Sequence, residues 1–144
     1  MVIAVVLTAA WVLIREWKEL PGVPTDVVRS VTSGHVRILA EGSDSSPGND
    51  WEDSYALISV SSKGNPVEVI EDALQSAGWS TRSGGSDPLL LSGDTPEDRP
   101  KYGVTVQEFE NFNCLDRPKV CAKFEKVAHT QDQNLFVATF MPYA

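Results

Sequence analysis

The chain is poor in the residues from which most catalytic and metal centres are built. It holds two cysteines, two histidines and two methionines in 144 residues. Six residues separate Cys114 from Cys121, so the CxxC spacing of thiol redox centres is absent. Adding His129 to the two thiols leaves a zinc ion short of a fourth ligand. Cys121 and His129 as a nucleophile–base pair would have to reach across a strand, and no surrounding motif supports it. Glycine-rich phosphate loops of the GxGxxG or GxxxxGK(S/T) form are missing, as is the GxSxG turn of serine hydrolases. No N-x-S/T sequon occurs.

Basic charge is scarce as well. Twelve Lys and Arg face twenty Asp and Glu, giving a net charge of -8 and a pI near 4.6. Arg15, Lys18, Arg29 and Arg37 are scattered, while Arg117, Lys119, Lys123 and Lys126 are interleaved with Asp116 and Glu125. A phosphate backbone repels such a surface, which excludes nucleic acid as a partner.

Long hydrophobic runs are limited to one, the thirteen residues from Val2 to Ile14. As a helix it would span roughly 20 Å, against about 30 Å of hydrocarbon. Only Met1 precedes it, so the basic flank of a signal peptide is lacking. A start further upstream would supply both the flank and the missing length. On the downstream side Trp11 and Trp17 suit a membrane interface, and Arg15 to Lys18 begin a charged stretch. Pro21-Gly22-Val23-Pro24 then breaks the helix as a linker. The expectation is therefore an uncleaved anchor. Cleavage after Ala10, or burial of the run in a soluble core, are the alternatives.

Beyond the linker the pattern becomes that of a small folded domain. His35 to Leu39 alternates as a first strand, and Tyr55 to Val60 as a second. Residues 41–53, EGSDSSPGNDWED, read as a solvated acidic loop. Pro47 and the ligand spacing exclude a calcium loop of the EF-hand kind. The clearest local signal is SKGNPVEVIEDALQSAGW. Asn65 caps a helix, Pro66 falls at its first position, and Val67, Ile70, Leu74 and Ala77 form one apolar stripe. Gly78 suits the left-handed position that ends it, with Trp79 folding back on the last turn.

The remainder predicts strands: Ser80 to Ser83, the apolar run Pro88 to Leu91, Tyr102 to Val106, Val120 to Phe124 and Leu135 to Met141. Residues 92–101 read as a polar loop. Alternation of Val120, Ala122 and Phe124 turns Cys121 outward beside Lys123 and Glu125. There it would pair with Cys114 across a hairpin, as suits an oxidising compartment. Glu108 and Glu110 share one strand face and are the carboxylate pair with defined geometry, read as the wet end of the sheet.

The expected fold is thus α+β, a small antiparallel sheet with one packed amphipathic helix, preceded by a hydrophobic transmembrane helix. Residues 1–20 form the anchor, 21–24 the linker, and 25–144 a single extracytoplasmic domain. Its expected work is binding or structural interaction at the cell membrane. The partners are the lipid bilayer, through residues 2–14, and another envelope protein. Cys114 and Cys121 are the site residues, as a disulfide, and no catalytic residue, metal or cofactor is assigned. One rival is a small envelope hydrolase in which His35 or His129 reaches a serine and a carboxylate. Another is a soluble cytoplasmic domain with residues 2–14 in its core.

Overall fold

A computed structural model describes residues 20–45, 48, 50–131 and 133–143. In chain order the elements are α1 (Thr25–Arg29), β1 (Val36–Asp44), β2 (Asp53–Val60), α2 (Pro66–Ser76), β3 (Ser80–Ser83) and β4 (Leu91–Thr95). They are followed by β5 (Tyr102–Glu108), a 3₁₀ turn (Phe109–Asn111), α3 (Pro118–Ala128) and β6 (Leu135–Pro142). The strands form one six-stranded sheet in the order β1-β2-β6-β5-β4-β3. Every neighbouring pair is antiparallel.

Helix α2 follows from the local signals that bound it. The Asn65 side chain accepts the Val67 N–H at 3.0 Å, and Pro66 sits where an N–H would have no partner. At the other end Gly78 takes φ +95°. Its N–H bonds Gln75 O at 3.1 Å, and the Trp79 N–H bonds Leu74 O at 3.0 Å. These two bonds close the Schellman pattern that only a left-handed residue permits cheaply. Trp79 is thereby turned inward. It packs on Phe140 with ring centroids 5.8 Å apart, and its indole N–H reaches Ser30 Oγ at 3.1 Å.

The sheet buries both faces, by different means. On one face Ala56, Ile58, Phe136, Ala138 and Phe140 meet Ile70 and Leu74 of α2, Val28 of α1 and Val31 beyond it. On the other, Tyr55, Leu57, Leu135 and Val137 meet Val120 and Phe124 of α3. Strand β2 lies between these layers, which is why Tyr55 to Val60 are all buried and read as a continuous run.

The second layer corrects the expectation of one packed helix. Residues 118–128 are a helix, not a strand. Ala122 is exposed, whereas Val120, Cys121 and Phe124 are buried with Val127 and Ala128 partly so, a spacing of three to four. Pro118 at the first helical position marks the same start that Pro66 marks in α2. Fully burying Phe124 contributes about 2–3 kcal/mol, and the helical face buries Cys121 beside it, which a strand would turn outward. Residues 92–95, expected in a loop, complete β4.

A second correction concerns the membrane. Among the described residues no helix is long and apolar enough to cross a bilayer; α2 and α3, at 11 residues each, are the longest. The run Val2–Ile14 lies outside the described residues. With no membrane-spanning segment found among the described residues, the transmembrane helix, the signal anchor, the bilayer and an envelope protein as partners, and the extracytoplasmic placement at the cell membrane are set aside. The sheet-and-helix domain stands without them.

Candidate functional site

The end of β5, the 3₁₀ turn and α3 border a cleft of about 380 Å³. Glu108 closes β5, Glu110 lies in the 3₁₀ turn and Glu125 comes from α3, so three elements present carboxylates to one hollow. Phe109 and Phe112 form the apolar wall with Ala128 and Leu135. Both phenyl rings are held edge-on from behind, Phe109 by Phe124 at 6.1 Å and Phe112 by Tyr55 at 5.7 Å between centroids. Asn111 donates to Glu108 Oε2 at 3.4 Å, which orients one carboxylate. No Lys, Arg or His is among the residues lining the cleft.

Its rim is cross-linked. Cys114 and Cys121 form a disulfide with Cα atoms 5.6 Å apart. The connection joins the loop after the 3₁₀ turn to the first turn of α3, where the Cys121 N–H bonds Arg117 O at 3.0 Å. Cys121 is buried rather than outward beside Lys123 and Glu125, because it lies on the apolar stripe of a helix. Asn113 ties the same loop internally, donating to Asp116 Oδ2 at 2.8 Å and accepting the Leu115 N–H at 3.2 Å.

Behind the cleft is a polar knot that the sequence reading did not single out. Asp44 and Asp53 stand directly opposite one another on β1 and β2, a like-charge pairing that is unfavourable alone. Arg117 supplies the opposing charge. It donates its Nε–H to the buried Tyr55 phenol, with its guanidinium carbon 5.7 Å from the ring centroid. Burial holds the Asp53 carboxyl above its ordinary range, against the pull of Arg117 and a hydrogen bond to Trp51. Asp53 Oδ1 is buried with no hydrogen-bond partner in the structure. Burial also raises Tyr55, opposed by the Arg117 hydrogen bond and charge. For Arg117, burial acts downward but is outweighed by Tyr55, Asp44 and Asp53, and the guanidinium is held above its usual value.

The helix-free part of this face, over β3 to β5, carries a smaller feature. The Tyr143 ring lies over Gly103, where any Cβ would strike the phenol, and its O–H donates to Asp94. Burial first, then Asp94, pushes that phenol up to about 12.

The residues singled out from sequence fall in several places. Glu108 and Glu110 line one cleft, joined by Glu125, but Glu108 ends β5 and Glu110 lies in the 3₁₀ turn, so they do not share one strand. His35 and His129 are at opposite ends of different elements, before β1 and at the C-cap of α3. The hollow containing His35 has no carboxylate in its lining. Ser33 and Ser61 bond its backbone, so the hydrolase constellation is not assembled there. Cys121 is committed to the disulfide and offers no thiolate. Glu41 to Asp44 belong to β1 and Asp53 to β2, which shortens the expected acidic loop. Among the described residues no group of three or more His, Cys, Asp or Glu is placed to hold a metal ion.

The functional candidates missed from sequence were Phe109, Phe112 and Glu125. The stretch EFENF, residues 108–112, carried a usable signal in its alternation of carboxylates and phenyl rings. Glu125 gave none until α3 was recognised as a helix. Compared with protein families, curated proteins and solved structures, the chain matches none.

Proposed function

We propose that this domain is a recognition module for a cationic organic ligand, an ammonium or guanidinium group on an apolar stem. The cleft of Glu108, Phe109, Glu110, Phe112 and Glu125 is its site. The observation that carries this reading is the convergence of three carboxylates and two phenyl rings on one hollow free of basic side chains. Carboxylates attract the charge, and aromatic edges and faces pack the stem or take the cation over the ring at about 0.5–2 kcal/mol. The net charge of -8 favours approach of such a ligand from a distance.

The test is a titration with butylammonium and with Nα-acetylarginine amide, followed by backbone amide shifts. Saturable shifts are expected at residues 108–114 and 125–128, weakened at least about tenfold in the Glu110→Gln/Glu125→Gln double variant. Butanol, matched in shape but neutral, should bind far more weakly. Equal binding of butanol, or shifts spread over the whole acidic surface, would overturn the proposal.

A further inference from the structure

A second hollow has the opposite chemistry. It lies at the open end of the β1–β2 pair, has a volume of about 320 Å³, and is lined by Thr32, Ser33, Gly34, His35, Val36, Arg37, Ser59, Ser61 and Gln133. No carboxylate contributes to it, although the chain has 20 acidic residues. Thr32 and Arg37 also line the adjoining cleft along β1, which holds Glu41 beside Arg29, and the cleft beside Lys123 includes Glu41 as well.

The placement of its groups follows from strand register. Arg37 pairs with Ser59, and the Ser61 N–H bonds His35 O at 2.9 Å. His35 immediately precedes β1 and Ser61 immediately follows β2, and their backbone bond continues the register that sets Arg37 opposite Ser59. Ser59 is 5% exposed, a hydroxyl at the floor. The facing wall is fixed by Ser33, whose Oγ accepts the His35 and Val36 N–H groups at 3.3 and 3.2 Å. With both bonds accepted, the Ser33 hydroxyl keeps its O–H as a donor. Beside it Gly34 opens on free space, since a Cβ there would meet nothing within 4 Å.

We infer that this hollow binds a small oxyanion, with Arg37 as the charge partner and the His35 ring and the Thr32 and Ser33 hydroxyls as neighbouring donors. The argument rests on the donor character of the lining. A guanidinium, an imidazole N–H and two hydroxyls want acceptor oxygens, and an anion with two or more such oxygens satisfies them together. The volume accommodates a phosphate-sized group and excludes nothing smaller. Gln133 lines both hollows, but the charged groups invoked in each differ, so either site can fail without the other.

The probes are inorganic phosphate, sulfate and acetate, titrated separately at constant ionic strength and followed by amide shifts at residues 32–37 and 59–61. Saturable binding of phosphate with competition by sulfate identifies a tetrahedral oxyanion, and tighter binding of acetate identifies a carboxylate; either supports the site. Arg37→Gln should weaken binding at least about tenfold, while Arg99→Gln, with the same change in charge, should leave it unaltered. The Glu110→Gln/Glu125→Gln variant should also bind phosphate as the parent does. Absence of saturation for all three anions would overturn the inference, as would equal weakening by Arg37→Gln and Arg99→Gln. Circular dichroism matching the parent confirms that each variant is folded.

Discussion

Arg117, the residue that precedes α3, donates its Nε–H to the phenolic oxygen of Tyr55, 62 positions earlier in the chain. The bond joins the start of α3 to β2, the second strand of the sheet. It also brings a cation beside the opposed carboxylates of Asp44 and Asp53. Tyr55→Phe removes the acceptor and keeps the ring, so a loss of about 1.5–3 kcal/mol is expected for a hydrogen bond to a charged group. Arg117→Met should cost more, because it also leaves two like charges facing each other. Urea unfolding of the two variants and their double measures the coupling. A double variant whose loss equals the sum of the singles would show that the pair does not act together.

Asp53 predicts a pH dependence of definite sign. Its carboxyl is held above the ordinary range chiefly by burial, so the folded state binds its proton more readily than the unfolded chain. Stability from this group is fully present below the unfolded value near pH 4 and is lost as pH rises through the folded value. Asp53→Asn removes the titration while keeping the shape. The variant should be at least as stable as the parent at neutral pH, and the parent should gain on it as pH falls. Thermal unfolding of both proteins at a series of pH values between about 3 and 7 provides the comparison. A constant difference across that range would contradict the account.

The disulfide closes a loop of sequence separation 7, for which the chain-entropy relation gives about 2.5 kcal/mol. Cys114→Ser with Cys121→Ala should lower stability by that order without changing the helix or sheet content. Hydrogen exchange should speed up most over residues 112–117, where the cross-link and the Asn113 bonds are the main restraints. Exchange that accelerates equally in β2 and β6 would instead make the bridge a support of the whole sheet.

What was legible in the sequence was whatever depended on neighbours along the chain. The α2 helix, its Asn65 cap and its Gly78 stop are local chemistry, and so are the strands around Ile58 and Val137. The identity of α3 depended on a distant partner. Val120, Ala122 and Phe124 alternate as well as any strand, and only the sheet face bearing Tyr55 and Leu57 shows that Cys121 must turn inward. The candidate cleft was half visible, since Glu108 and Glu110 stood out as a pair. Glu125 joins them only through the three-dimensional return of α3. Arg37 and Ser59 become neighbours through strand register, which no local pattern specifies.

The position of β6 carries a consequence for biosynthesis. This strand, the last of the described elements, lies between β2 and β5 and is the sole hydrogen-bonded link between the β1–β2 pair and the β5-β4-β3 meander. While residues 135–142 remain inside the ribosome, the emerged chain has two half-sheets, each with an unpaired inner edge, and no continuous layer for α2 and α3 to cover. The sheet therefore closes only once residues 135–142 have emerged, and a chain cut short before Leu135 leaves two adhesive edges exposed to one another and to its neighbours.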